Sequence, residues 1–258
     1  MQSRGRNVIM DEAPKKKPSR GKRIRRTART IIILCLVGIM LVSGWRVFTL
    51  LRGYWADRSV YSKIAEAAGD LETGIDFDAL SKINPDVIGW LYYKDTIINY
   101  PIVQGENNEM YLSMLFDRTW GGCGTLFADC ITEYPFRQFN TIVYGHHMKD
   151  GTMFACLKEL RDPEYCAKNP KLKLTTPEGV FDLEIWAFLN EPADSNIYLT
   201  NITIEEEKQM YLDLIESLAS YTTDVNVTTE DRLVMLSTCA YEFEDARYII
   251  VCKMVPAE

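Results

Sequence analysis

A thiol, an imidazole and a guanidinium occur in this chain in an arrangement that can carry acyl transfer. The C-terminal segment from Leu233 to Met254 reads as two strands joined by the seven-residue loop 240–246. Paired antiparallel, these strands bring Cys239, at the end of the first, beside Arg247, at the start of the second. A fixed positive charge there lowers a thiol pKa and steadies the oxyanion of a tetrahedral intermediate. Period-two alternation puts Leu233, Met235, Ser237 and Cys239 on one face, so Ser237 shares the cysteine's side. Acyl transfer through a thiol also needs a group that protonates the departing amine, and histidine is the usual one. The chain has two histidines, the adjacent His146 and His147, which follow Asn140-Thr-Ile-Val-Tyr-Gly. Neighbours at a strand end point to opposite faces, so only one of His146 and His147 can meet the thiol. By residue type alone, an inert buried cysteine is the commoner explanation of Cys239.

These groups need a sheet to hold them. β-Branched and aromatic runs, broken by Gly, Pro, Asn and Asp, predict strands over 97–103, 125–128, 141–144, 172–175, 180–189, 233–238 and 247–254. Helices are predicted over 60–71, with Val60, Ile64, Ala67 and Leu71 on one stripe, and over 76–83, ended by Asn84-Pro85. Two more are predicted over 152–160 and 204–219, the latter opening on Glu205, Glu206 and Glu207, acids that suit a helix N-terminus. Seven or so strands with irregular connections predict a mainly β protein, a closed or nearly closed barrel with peripheral helices.

Charge divides the chain more sharply than its overall −7 suggests. Residues 1–30 hold 11 of the 29 Lys and Arg and two of the 36 acids, so the remainder is strongly acidic. An acidic body lacks the clustered bases that phosphate contacts require, which argues against nucleic acid as a partner. The basic tail runs directly into an apolar segment, uncharged from Ile31 to Trp45 and extended to Leu51 if Arg46 snorkels outward. Twenty-one residues suffice to cross a bilayer. The bases from Lys15 to Arg29 hold the N-terminus in the cytoplasm, and no small-residue cleavage site follows the run. The expected organisation is a cytoplasmic tail (1–30), a single-pass signal anchor (31–51), a helical linker (52–85) and an extracellular catalytic barrel (86–258). Seven cysteines, an odd number with no CxxC, are read mostly as small buried hydrophobes, although Cys123 and Cys130 are spaced to close a loop or bind a metal. Two adjacent histidines do not make a four-ligand zinc site, and no cofactor is expected.

Several motifs act together. Cys239 preceded by Leu-Ser-Thr, an arginine at the start of the next strand and an upstream Tyr-Gly-His closely resemble the sortase transpeptidases, class B in particular. The likeness continues through Asn84-Pro-Asp-Val-Ile-Gly-Trp-Leu, Tyr100-Pro-Ile-Val-Gln-Gly, Asn108-Glu-Met-Tyr-Leu and Gly124-Thr-Leu-Phe-Ala-Asp, and covers roughly residues 80–254. The resemblance implies Cys239 as nucleophile, His146 as general acid/base and Arg247 as oxyanion stabiliser. It implies a closed barrel of seven or eight strands, with N-terminal helices and one extra helix before the catalytic strand, matching 204–219. It further implies cleavage of a surface protein's C-terminal sorting signal after threonine, through a thioacyl enzyme resolved by an amine of a peptidoglycan precursor or of a pilin lysine. Asn108, Leu112 and Ser237 match positions lining the substrate groove, with Tyr198 or Ile197 as a further wall. A thiol hydrolase and a catalytically silent wall-peptide binder are the alternatives from other classes.

Overall fold

The computed structural model describes residues 20–69, 74–239 and 245–257, without side-chain placement for residues 20–23, 26, 27 and 239. The basic tail up to residue 19, the predicted helix end at Leu71 and loop residues 240–244 lie outside the described residues. The chain divides into two units, Met1–Leu51 and Arg52–Glu258.

In the first unit, helix α1 (Arg20–Ala68) carries the apolar run, whose side chains from Ile31 through Leu51 stand exposed. It is long and apolar enough to cross a membrane. The sequence predicts two helices, over 31–51 and 60–71, but the structure has one. Between them only Gly53 disfavours helix, at about 1 kcal/mol, too little to break it. The helix stops where Gly69 adopts φ +87, a left-handed turn that glycine enters without a Cβ clash.

In the second unit, residues Tyr61, Ile64 and Ala68 of α1 are buried in the main core. Helix α2 (Phe77–Ile83) follows, its first turn capped by the Asp76 carboxylate on the Ala79 N–H at 2.8 Å. Nine strands come next: β1 (Val87–Tyr92), β2 (Asn99–Val103), β3 (Leu126–Ala128), β4 (Asn140–Tyr144), β5 (Lys171–Thr176), β6 (Gly179–Pro192), β7 (Tyr221–Thr222), β8 (Arg232–Cys239) and β9 (Ala246–Pro256). Their order is β5-β1-β2-β3-β4-β8-β9-β6-β7, and β5 also pairs β6. Eight strands thus close into a barrel, and β7 extends β6 outside it.

Strand β1 is absent from the sequence expectation because Gly89 sits mid-strand and the register slips between Val87 and Gly89, a local irregularity that weakens the strand pattern. The predicted helix over 152–160 is instead a 3-10 segment, Phe154–Arg161, followed by helix α3 (Pro163–Lys168), which the sequence reading did not include. Asp162 caps α3 and Pro163 occupies its first turn, so the chain restarts as a helix just after the 3-10 segment. Helix α4 (Glu205–Leu218) lies where predicted, without a side-chain N-cap.

Strand β8 is buried on both faces, which explains its unbroken apolar run. Val234 and Leu236 join the barrel interior, whereas Leu233 and Met235 pack outward with Tyr211, Leu212 and Ile215 of α4. The barrel therefore has a filled interior and a second core beneath α4. The site grows at the end of that second core.

Candidate active site

Strand β8 fixes the site. It runs parallel to β4, with Tyr144 opposite Ser237, and antiparallel to β9, with Cys239 opposite Arg247. Arg247 is in turn opposite Glu191 of β6. Ile249 and Val251 belong to the outward core, so by alternation Arg247 lies on the same outward face of β9.

His146 follows β4 by two residues. The glycine between strand and histidine is sterically required: a Cβ on Gly145 would come within 2.5 Å of Leu126 and 2.6 Å of Phe154. Nε2 of His146 lies 2.7 Å from the carbonyl of Leu112, at the end of the 3-10 turn Met110–Leu112. A carbonyl can only accept, so Nε2 carries a proton in this arrangement. His147 occupies the neighbouring position, bridged to Met153, with its ring 6.2 Å from that of Tyr248.

One groove of about 330 Å³ gathers the sequence-predicted residues other than Cys239, whose side chain lies outside the described ones. Asn108, Leu112, His146, Tyr198, Ser237 and Arg247 all line it. Leu112 presents an apolar side chain that is 40% exposed. The Tyr198 hydroxyl and Ser237 Oγ are 2.9 Å apart. Asn108 Oδ1 accepts from the Cys130 N–H at 2.9 Å, tying the groove's rim to the loop after β3. Arg247 donates from Nη1 to its own neighbours, the carbonyls of Asp245 (3.1 Å) and Ala246 (3.0 Å). That curl sets one nitrogen of the fork, which has five donors in all. Ile197, the other wall candidate, is fully buried in the second core instead.

The connection from β6 to α4 presents Tyr198 by way of buried polar contacts. Asn140 donates to the Leu199 carbonyl (2.7 Å) and to the Tyr211 hydroxyl (2.9 Å), and Tyr211 donates to the Ile197 carbonyl (2.8 Å). Asn201, at φ +52, donates to the Ile131 carbonyl and accepts from Gln138, both at 2.8 Å. These bonds pin both ends of a segment without regular structure.

Sequence reasoning missed two aromatic walls, Phe127 and Tyr144, and the threonine beside the cysteine, Thr238. Tyr144 stacks on Tyr198 at 6.2 Å and donates to Asp129 at 2.8 Å. Burial, then the Asp129 charge, push its phenol far up, so it stays a neutral donor. The signal for Tyr144 was present in its place two residues before His146. Thr238 carried the same kind of signal, directly before Cys239 in the Leu-Ser-Thr run. Its buried Oγ1 has no hydrogen-bond partner among the described residues.

The other thiols contrast with this setting. Burial and the Asp57 charge push the Cys123 thiol far up, and burial pushes Cys156 up to about 11 and raises Cys166 and Cys252. Cys123 and Cys130 are both free, so the loop-closing pairing is not formed. Among the described residues no cluster of His, Cys, Asp and Glu is suited to hold a metal.

Residues 92–255 match the sortase domain family. The sortase B of Staphylococcus aureus is 30% identical over 234 residues, which cover 88% of this chain and 96% of that protein. The sortase B of Listeria monocytogenes is 31% identical over 234 residues, covering 87% and 95%. The solved Staphylococcus aureus sortase B–substrate complex superposes with a TM-score of 0.73 at 28% identity, over 80% of this chain and 100% of that one. With its eight-stranded barrel, its helix α4 before β8 and these relatives, the chain belongs to the sortase family of cysteine transpeptidases and, within it, to class B.

Proposed function

We propose that this enzyme cleaves a C-terminal sorting signal after threonine and transfers the freed carboxyl end to an amine of a cell-wall precursor. The observation that carries this reading is the pairing of Cys239 with Arg247 at the rim of a groove that His146 also lines. Cys239 as thiolate attacks the threonine carbonyl, and the developing oxyanion is met by Arg247 donors. The C–N bond breaks as the proton on His146 goes to the leaving amine. An incoming amine attacks the thioester, passes its proton to His146, and the thiolate leaves.

Asn108, Leu112, Tyr198 and Ser237 hold the signal, with the apolar Leu112 and the Tyr198–Ser237 pair offering one greasy and one hydrogen-bonding wall. The apolar run of α1 anchors the enzyme as a single-pass protein with its N-terminus in the cytoplasm and the barrel outside, consistent with the basic residues that precede it. Polymerisation onto a pilin lysine uses the same intermediate and differs only in the acceptor.

The test is to incubate the purified chain with a sorting-signal peptide, with and without a small amine acceptor. Ligated product that depends on the amine supports transpeptidation. Hydrolysed peptide in equal yield with and without the amine assigns a hydrolase, and bound but uncleaved peptide assigns a binding module. A variant lacking residues 1–51 is expected to be soluble and to retain activity, because all groove residues belong to the second unit.

A further inference from the structure

The part of α1 beyond Leu51 does not line the groove, yet it makes buried polar contacts with the loop before β3. Asp57 is 8% exposed, and its carboxylate accepts from the Cys123 N–H at 3.2 Å. It forms no ion pair among the described residues. One turn on, the Tyr61 hydroxyl donates to the Gly124 carbonyl at 2.5 Å and lies 2.9 Å from Thr125 Oγ1. Two residues of α1 thus grip three consecutive residues, Cys123, Gly124 and Thr125.

That tripeptide is packed against the turn that receives His146. Thr125 donates its N–H to the Tyr111 carbonyl at 3.0 Å and its hydroxyl to the Met114 carbonyl at 2.8 Å. Gly124, at φ +58, lies so close that a Cβ there would come within 2.4 Å of the Tyr111 carbonyl and 2.7 Å of the Leu112 carbonyl. No slack separates the two backbones. The Leu112 carbonyl is the atom that His146 Nε2 meets at 2.7 Å. The ring end of the turn is held independently, by Tyr111 donating to Asp86 at 2.6 Å.

We propose that Asp57 and Tyr61 are positioning residues for catalysis: through Cys123–Thr125 they fix the Leu112 carbonyl, and with it the protonated nitrogen and ring orientation of His146. The proposal rests on the reading of His146 as the general acid/base. Membrane-proximal helix and catalytic site are one mechanical unit in this account, and helix α1 does more than tether. Because Tyr111 is anchored from its other side, loss of the α1 contacts loosens the carbonyl without unfolding the turn.

The test uses the full chain in detergent micelles with Tyr61→Phe, which keeps the ring and its edge-on contact with Tyr100 at 5.3 Å and removes only the hydroxyl. Asp57→Ala and Asp57→Asn form the second pair, since the asparagine amide oxygen still accepts from the Cys123 N–H. Two histidines in the chain make the imidazole nitrogen resonances assignable. Tyr61→Phe and Asp57→Ala are expected to shift the His146 nitrogen resonances and leave those of His147 in place. Both variants are also expected to lower the acylation rate about tenfold at unchanged KM, the scale of a small misplacement, while Asp57→Asn restores most of the rate. Unmoved His146 resonances with wild-type rates in Tyr61→Phe and Asp57→Ala overturn the proposal, as does an equal loss in Asp57→Asn and Asp57→Ala. If the wild type forms no thioacyl enzyme while Tyr61→Phe still moves His146, the functional reading fails and the positioning link is supported.

Discussion

Two cysteines sit near strand or loop ends of the same domain, in opposite electrostatic company. Cys239 pairs across the sheet with Arg247, at the rim of an open groove that also holds His146. Cys123 is 4% exposed, with a carboxylate, Asp57, on its own N–H. In the proposed function the first neighbour favours a thiolate, while the second, together with burial, pushes the thiol far up. Residue type is the same in both places. On that reading, surroundings decide which sulfur reacts.

Removing the reactive sulfur is the largest break of this comparison. Cys239→Ala is expected to lower peptide cleavage by at least about 10⁴-fold, because the proposed reaction passes through that thiol alone. Thermal unfolding should be little changed, since strand pairing from Arg232 to Thr238 does not depend on that side chain.

Arg247→Lys sharpens the comparison by separating charge from shape. Lysine keeps a point charge but loses the planar fork of fixed donors. A loss of about a hundredfold in kcat is expected, the scale of one oxyanion donor, and steady-state rates on a sorting peptide check it. Near-normal turnover leaves Arg247 as an electrostatic neighbour only.

The two cysteine regions differ in how legible they are in the sequence. The strands around Cys239 are two apolar runs joined by a short loop, so the order of residues from Leu233 to Met254 is enough to place the cysteine opposite Arg247, and β8 and β9 pair in that register. The groove motifs also converge, since Asn108, Leu112, His146, Tyr198 and Ser237 line one cleft. The Cys123 region is opaque for a physical reason. Its partners Asp57 and Tyr61 lie about 65 residues earlier on a helix, and long-range contacts leave no periodic trace in the sequence. The same holds for Ile197, offered as a groove wall beside Tyr198. Successive side chains in an irregular segment carry no alternation to tell the wall from the core, and Ile197 is the one buried.

A smaller effect is expected from Ser237→Ala. The hydroxyl lies 2.9 Å from that of Tyr198, and losing one neutral hydrogen bond at the groove wall costs about 1 kcal/mol, or roughly fivefold in kcat/KM. Kinetics with the sorting peptide should place the change in KM, and a loss confined to kcat moves Ser237 from the groove wall to the reaction itself.

The smallest effect belongs to a cysteine of the filled barrel. Cys252 is fully buried, and its thiol is raised by burial. Cys252→Ala is expected to leave the rate unchanged and to lower stability by about 1–2 kcal/mol through lost packing. Urea unfolding and the cleavage assay together check this, and a rate loss without a stability loss contradicts the assignment of Cys252 to the core.

The claim that one sulfur among seven carries the chemistry is tested most directly by trapping the intermediate. The full chain is mixed with a sorting-signal peptide without an acceptor amine, quenched in acid, digested and mapped by mass spectrometry. The expected result is a thioester adduct on Cys239, in a form released by added amine. An adduct on Cys123, Cys130 or Cys252, or cleaved peptide with no adduct on Cys239, contradicts the account.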